Sequence, residues 1–181
     1  MMRMQKLLSV ITLLLLGVVM LAACGWDPNK PEEARNEVEE TIANFKKKDP
    51  GIKTFFNDAY AYVVFPSVGK GGWVIGGAYG NGKVFRRGQI IGSASIVQGT
   101  IGFQMGGQVY SEIVFFKDKK AFDRFKSERL EFDAQVSALA GTLGAAAKAA
   151  YEKGIAVFIM TKGGLMYEAS VGGQSFTFEP D

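Results

Sequence analysis

The chain has 181 residues, with 21 Lys and Arg against 18 Asp and Glu, no histidine and a single cysteine. The lack of histidine and of a second thiol excludes a disulfide framework and Cys–His or Ser–His nucleophile pairs, and it all but excludes a structural zinc site. We therefore expect no cofactor, no metal and no enzymatic activity, because an enzyme here would depend on Asp, Glu, Lys or Tyr alone.

A three-part secretion signal opens the chain. Two basic residues, Arg3 and Lys6, precede a predominantly apolar run over residues 7–20, and small residues follow just before Cys24. The run of 14 residues is shorter than the ~20 that a helix needs to span a bilayer. The alternative is an N-terminal membrane anchor helix, but the length favours a signal peptide over residues 1–23.

The cleavage region, Leu21-Ala22-Ala23-Cys24, resembles the lipobox of bacterial lipoproteins. The resemblance implies that the Cys24 thiol takes a diacylglyceryl group and that the new amine is usually acylated (palmitate). Two or three acyl chains hold a protein firmly at a bilayer, at ~0.8 kcal/mol per buried CH₂. Gly25 stands where the enteric inner-membrane retention signal has aspartate. We therefore expect an exported protein at the periplasmic face of the outer membrane.

The mature chain is nearly neutral and is predicted to form one domain. Removing the two basic residues of the signal leaves 19 basic residues against 18 acidic ones, so no long-range attraction draws nucleic acid. Residues 24–30 are expected to be a polar tether, and residues 31–181 suit a single domain with a proper core.

A helix is predicted over Pro31–Lys48. Proline suits its first position, glutamates follow in the first turn, and lysines close the last turn. Apolar residues recur at helical spacing and form one stripe, namely Ala34, Val38, Ile42 and Phe45. Asp49-Pro50-Gly51 ends the helix, and a second short helix is predicted over Lys53–Asp58.

From residue 60 onward the sequence is rich in glycine and in β-forming residues. Residues 69–107 hold 13 of the 23 glycines, interleaved with Val, Ile, Phe and Trp, which is typical of tightly curved strands. Asn81-Gly82 between apolar flanks predicts a hairpin turn. We expect an α+β fold, in which a curved antiparallel sheet or small barrel carries the N-terminal helix and a central helical region packed on it.

The second half of the chain combines helical and strand patterns. A strand is predicted over Gln108–Phe116, and a helical region with nearly balanced charges begins near Asp118. That region carries Phe122, Phe125 and Phe132. The alanine-rich stretch 137–153 is suited to a helix that approaches the sheet closely. Three strands are expected to close the chain as a meander, at residues 155–160, 165–171 and 175–178.

One segment imitates a phosphate-binding loop. Gly77-Ala78-Tyr79-Gly80-Asn81-Gly82-Lys83 has the glycine, four residues and Gly-Lys of that motif. Val84 follows where the loop needs a Ser or Thr hydroxyl, and residues 83–87 are predicted to be a strand rather than the start of a helix. We therefore expect neither nucleotide nor nucleic acid as a partner.

Two basic clusters are candidate contacts for anionic lipid headgroups. Lys46, Lys47 and Lys48 end a helix that is tethered near a membrane, and Arg86-Arg87 lies at a strand end. Each basic residue near a membrane surface contributes roughly 1 kcal/mol. The alternative for the lysines is complementarity to the helix dipole, worth about 0.3–1 kcal/mol per cation. For the arginines the alternative is an ordinary exposed hairpin.

Five segments, in consistent order, resemble the SYLF domain family. They are Ala61-Tyr62-Val63-Val64-Phe65-Pro66, Gly69-Lys70-Gly71-Gly72-Trp73-Val74-Ile75-Gly76-Gly77, Gly80-Asn81-Gly82-Lys83-Val84, Gly102-Phe103-Gln104-Met105-Gly106-Gly107-Gln108 and Lys162-Gly163-Gly164-Leu165-Met166-Tyr167-Glu168. The resemblance covers about two-thirds of the chain, residues 59–178. Together with the lipobox, it is similar to the bacterial lipoprotein branch of the family.

The resemblance implies a lipid-binding module built on a curved antiparallel sheet. Eukaryotic members bind phosphoinositides, in part through an N-terminal amphipathic helix whose counterpart here is Pro31–Lys48, and some bind actin. The chain departs from those members at Gln89-Ile90-Ile91-Gly92-Ser93-Ala94-Ser95, where they carry Trp-Ser-x-Pro. Actin regulation is not expected of a protein in a bacterial envelope.

The sequence thus predicts a lipid-anchored, non-enzymatic module that binds anionic phospholipid or phosphoinositide-like headgroups. The alternative is a structural scaffold that contacts an envelope protein and binds no lipid beyond its acyl anchor. Burial of the helical stripe distinguishes them, because packing on the sheet favours the scaffold and exposure favours membrane or partner contact. A carboxylate-based enzyme is a third hypothesis and would require a cleft that pairs two acids.

Overall fold

The computed structural model describes residues 31–72, 75–101, 108–127, 138–140, 151–161 and 174–181. The predicted signal peptide, Cys24 and the tether lie outside the described residues. Within these residues the chain forms helices and one β-sheet, which confirms the predicted α+β class.

The described elements match several predicted bounds. In chain order they are α1 (Pro31–Lys48), a 3₁₀ turn (Pro50–Ile52), α2 (Lys53–Asp58), β1 (Ala61–Gly72), β2 (Ile75–Arg86), β3 (Gln89–Ile101), β4 (Gln108–Phe116), α3 (Lys119–Lys126), β5 (Ala138–Ala140), β6 (Ile155–Thr161) and β7 (Gln174–Pro180). The bounds of α1, α2 and β4 are those predicted from the sequence. Asp118 starts α3, because its side chain accepts a hydrogen bond from the backbone N–H of Ala121 at 2.8 Å.

The described strands form one sheet in the order β5-β6-β4-β1-β2-β3-β7. Neighbouring strands are antiparallel, apart from the parallel pair of β5 and β6. The central strand β1 shifts register against both neighbours around Phe65 and Pro66. A proline is tolerated there because a bulge, unlike a regular ladder, does not require its missing N–H.

The sheet is curved so strongly that strands far apart in its order meet across one face. Gln174 of β7 donates from Nε2 to Oε2 of Glu112 on β4 at 3.1 Å, although β1, β2 and β3 lie between those strands. The rings of Phe65 on β1 and Phe176 on β7 have centroids 5.9 Å apart. These contacts confirm the predicted curvature and define a concave face.

Each face of the sheet carries a hydrophobic core under its own helices. On the convex face, Val38 and Phe45 of α1 and Phe55 of α2 pack against the strands. On the concave face, Phe122 and Phe125 of α3 contact aromatic rings of β4 and β7. Burial of a side chain of this size contributes about 1.5–3 kcal/mol, so both helical layers are held mainly by apolar contact.

The β2–β3 hairpin turns at Arg87-Gly88, and the prediction of a turn at Asn81-Gly82 is wrong. The two loop residues have positive φ angles, 53° for Arg87 and 78° for Gly88, which is what a two-residue hairpin loop requires. Asn81 and Gly82 lie in the middle of β2 and pair with β3. The whole segment 77–83 is therefore strand, without the turn into a helix that a phosphate-binding loop needs.

Close packing on the concave face explains why β2 contains glycine where the sequence suggested a turn. A Cβ at Gly82 would collide with the carbonyl oxygen of Val64 and lie 2.8 Å from Cδ1 of Phe65. A Cβ at Gly80 would lie 2.8 Å from the carbonyl oxygen of Ser67. These glycines let β1 approach β2 closely, and so permit the curvature of the sheet.

The last third of the chain departs from the prediction in two places. Residues 138–140 of the alanine-rich stretch form β5, a strand parallel to β6, rather than a helix. The predicted meander is wrong at β6, because β6 lies between β4 and β5 while β7 pairs with β3. Phe132 and the predicted strand 165–171 lie outside the described residues.

Replacing Gly82 with alanine is expected to lower the free energy of unfolding by about 1–3 kcal/mol, the usual cost of forcing an extra carbon into a packed core. Urea denaturation measures this change. Gly69→Ala is the matched control, since a Cβ at Gly69 has no heavy atom within 4 Å. Equal stabilities of the two variants would contradict the close packing at Gly82.

Candidate functional site

The apolar stripe of α1 is part of the core of the protein. Ala34 is 2 % exposed, Val38 0 % and Phe45 1 %, and Ile42 is partly buried against the same cluster. In this packing the stripe is not available for insertion into a membrane. Any contact of α1 with lipid must therefore use its polar flanks and its basic C-terminal end.

The three lysines at the end of α1 do not share one environment. Lys46 is partly buried, and its Nζ lies 4.5 Å from the centroid of the Phe56 ring. Phe56 in turn meets Tyr62 and Phe115 edge-on. Lys46 thus stabilises the packing of α1 on α2 through a cation–π contact.

Lys47 and Lys48 are exposed and border a groove of ≈ 660 Å³ between α1 and the strands beneath it. Most of its lining residues carry a polar group, although aliphatic parts of their side chains also face the groove; they are Glu37, Glu40, Thr41, Asn44, Lys47, Lys48, Pro66, Ser111, Met160 and Thr161. The hydroxyl of Ser111 donates to the carbonyl oxygen of Pro66 at 2.8 Å, which holds the bulge of β1 against β4. We call this the α1 groove. It offers ammonium and amide donors together with two carboxylates.

The α1 groove contains residues that sequence reasoning did not select. Thr41, Asn44 and Lys48 are spaced three and four residues apart, so helical periodicity alone could have grouped them on one face. Ser111 and Thr161 come from β4 and β6. Only the pairing of those strands brings them beneath α1.

The second predicted headgroup cluster lies elsewhere. The guanidinium carbon of Arg86 is 5.1 Å from the centroid of the Tyr60 ring, and Arg87 is exposed at the β2–β3 turn. The α1 groove borders β1, β4 and β6 instead. The structure therefore does not bring the arginines and the lysines together.

A second groove, of ≈ 570 Å³, runs along the opposite flank of α1. Its described lining consists of Arg35, Glu39, Lys83, Phe85, Gly88, Gln89, Ile90 and Asp181. The ammonium of Lys83 donates to the hydroxyl of Ser93 at 2.8 Å. Two basic and two acidic side chains line this groove, the same balance as in the α1 groove.

A buried polar cluster on the concave face was missed at the sequence level. Glu112 and Gln174 are both 0 % exposed, and Tyr110 lies beside them on the same face of β4. Burial raises the pKa of Glu112 to about 8, although the hydrogen bond from Gln174 opposes the shift. Burial, and then the nearby Glu112 carboxyl, raise the pKa of Tyr110. Alternate residues of a strand share a face, so the two-residue spacing of Glu112 from Tyr110 and Val114 could have placed this acid on the face of those side chains.

Two other kinds of site are absent from the described part of the chain. No group of three or more Asp, Glu, Cys or His residues there is placed to hold a metal ion. No helix there is long and apolar enough to cross a membrane.

Comparison with known proteins finds similar sequences. Residues 97–181 match the model of the Ysc84 family, described as Las17-binding protein actin regulator. Beta cell expansion factor A of Aeromonas veronii is 27 % identical over 171 residues, which covers 86 % of this chain and 61 % of that protein. These matches confirm the predicted resemblance to the SYLF family, which is associated with lipid binding and actin regulation. The chain spans less than two thirds of the length of this relative.

Replacing Lys46 with methionine, which keeps the stem but removes the charge, is expected to lower the free energy of unfolding by about 0.5–1 kcal/mol, the value of an exposed cation–π contact. Lys47→Met is the control, for which we expect a change within about 0.5 kcal/mol. Thermal unfolding of both variants measures the difference. A Lys46 variant as stable as the control would show that the Phe56 contact contributes nothing.

Proposed function

We propose that this protein is a lipid-anchored, non-enzymatic module that contacts anionic headgroups peripherally, through the α1 groove. The observation that supports it is the pair of exposed lysines, Lys47 and Lys48, at the rim of a polar groove on the helix that follows the predicted tether. The association of the SYLF family with lipid binding points in the same direction.

Peripheral contact follows from the burial of α1. With the apolar stripe packed on the sheet, electrostatic attraction is the main term left for binding at a membrane surface. Two lysines contribute about 2 kcal/mol near an anionic surface. Glu37 and Glu40 line the same groove, so the headgroup contact is weak and salt-sensitive. The acyl chains on Cys24 would supply most of the membrane affinity.

A scaffold that contacts an envelope protein is the second candidate, and two observations favour it. The stripe of α1 is buried, as expected for a structural helix. On the convex face of the β2–β3 pair, Tyr79 is 57 % exposed and Val97 53 % exposed, and the two residues lie opposite each other. Under this second proposal, the exposed pair would form part of a larger contact surface.

Flotation of the unlipidated chain 26–181 with vesicles tests the headgroup contact. We expect salt-sensitive flotation with phosphatidylglycerol vesicles and little with phosphatidylcholine vesicles. Changing Lys47 and Lys48 together to alanine is expected to weaken partitioning about thirtyfold, since the pair contributes about 2 kcal/mol.

The matched control changes Lys117 and Lys120, two exposed lysines away from the α1 groove, to alanine. If the control loses as much flotation, binding depends on the overall charge of the protein rather than on the groove. The Arg86 and Arg87 pair, changed to alanine, tests the second predicted cluster. Absence of flotation under every condition would contradict headgroup binding and favour the scaffold function.

Replacing Cys24 with serine is expected to abolish acylation, because the serine hydroxyl does not replace the thiol in lipoprotein processing. Mass spectrometry of the N-terminal peptide of the wild-type protein should show lipid on Cys24 and the loss of residues 1–23. Recovery of a membrane-bound wild-type chain that retains residues 1–23 would instead establish the membrane anchor helix.

A further inference from the structure

The buried contact between Glu112 and Gln174 joins two strands that are not neighbours. Glu112 lies on β4 and Gln174 on β7, and their hydrogen bond of 3.1 Å crosses the concave face. The register partners of Glu112 are apolar, Phe65 on β1 and Ile159 on β6. Among the described residues, no cation is found to act on Glu112 and compensate a carboxylate in this setting.

The hydrogen bonding of Glu112 and Gln174 lacks a donor among the described residues. Within the described part of the chain, Oε1 of Glu112 and Oε1 of Gln174 are both buried and accept no hydrogen bond. Both atoms are acceptors when Glu112 is ionised, so neither can satisfy the other. If Oε1 of Glu112 is protonated, its O–H group is a donor, and the amide oxygen of Gln174 is an acceptor for it.

We propose that Glu112 is a protonated carboxylic acid in the folded protein and pairs with Gln174 through two hydrogen bonds. The proton on Glu112 then supplies the second hydrogen bond between β4 and β7. In this pair the amide N–H of Gln174 donates to one oxygen of Glu112, as observed. The acid O–H donates in return to the amide oxygen. An acid and an amide are complementary in this way, whereas a carboxylate and an amide share a single bond.

The surroundings of Glu112 favour the protonated form. Among the described residues, the ionisable group beside it is the phenol of Tyr110 on the same strand, while β1 and β6 present apolar side chains and β7 presents an amide. Burial raises the pKa of Glu112 to about 8 from 4.5. The acid–amide pair is therefore complete at neutral pH and is lost as the pH rises above about 8.

The sign of the pH dependence follows from these values. The unfolded chain releases this proton near pH 4.5, and the folded protein keeps it up to about pH 8. Between these limits the folded state holds one more proton, so raising the pH lowers stability, with the folding equilibrium constant falling about tenfold per pH unit from this group.

Glu112→Gln tests the proposal, because two amides can form the same pair without a titrating proton. Unfolding of the whole protein, purified from cells in mild detergent, should be followed between pH 5 and pH 9. We expect the stability of Glu112→Gln to lack the decline with rising pH that the titration of Glu112 causes in the wild-type protein. Glu179→Gln makes the same substitution at an exposed position on β7 and should retain the decline. Parallel curves for the wild-type protein and Glu112→Gln would overturn the proposal.

Infrared spectroscopy supplies a second readout that does not depend on the folding of that variant. The wild-type protein should show the carbonyl absorption of a protonated carboxyl group at neutral pH, and the band should disappear around pH 8. Gln174→Leu should shift the band, because the acid then loses its amide partner. A wild-type protein without this absorption at neutral pH would also overturn the proposal. Faster hydrogen exchange in β7 above pH 8, relative to Glu112→Gln at the same pH, would support it.

Discussion

The curvature of the sheet is the constraint on which the other features of this protein depend. Bending brings β7 across to β4 and creates a closed, concave core beneath α3. It also forces β1 and β2 together, so that Gly80 and Gly82 have no room for side chains. The same bend places Glu112 and Gln174, 62 residues apart in the chain, within hydrogen-bond distance. Without the bend, the acid would lie on an open face in water.

The convex face follows from the same geometry. A convex surface leaves room for a helix to lie across the strands, and α1 buries its apolar stripe there. This packing determines which lipid contacts are open to the protein. Insertion of α1 would require the stripe to leave the core, at about 1.5–3 kcal/mol for each large side chain. Contact through exposed charges at the rim of a groove costs no such rearrangement.

The charged residues are divided by their structural roles. Lys46 and Arg86 lie over aromatic rings and take part in packing. Lys47 and Lys48 project beside the α1 groove, and Arg87 adopts a positive φ in the hairpin loop. A run of basic residues in the sequence is therefore not one electrostatic unit. Its members differ because successive residues of a helix point in directions about 100° apart.

Local patterns in the sequence were sufficient to predict α1, α2, the beginning of α3, β4 and the α+β class. The helix α1 could be predicted from its own segment. It has proline at the first position, acidic residues in the first turn, basic residues in the last turn and an apolar stripe at helical spacing. The curvature was also predictable, since it rests on runs of glycine among β-forming residues, and the family resemblance rests on five segments in consistent order. The candidate lysines were identified by composition and position alone.

Only the tertiary structure decided the remaining features, because they depend on residues that are distant in the chain. Asn81-Gly82 has the local signature of a turn, but the close approach of Val64 makes Gly82 a strand residue. The neighbours of β6 and the lining of the α1 groove are set by strand pairing. Whether the stripe of α1 faces lipid or protein is set by the convex sheet beneath it. The protonation of Glu112 is likewise a property of the closed concave core, since a glutamate in an extended chain is an ordinary exposed acid.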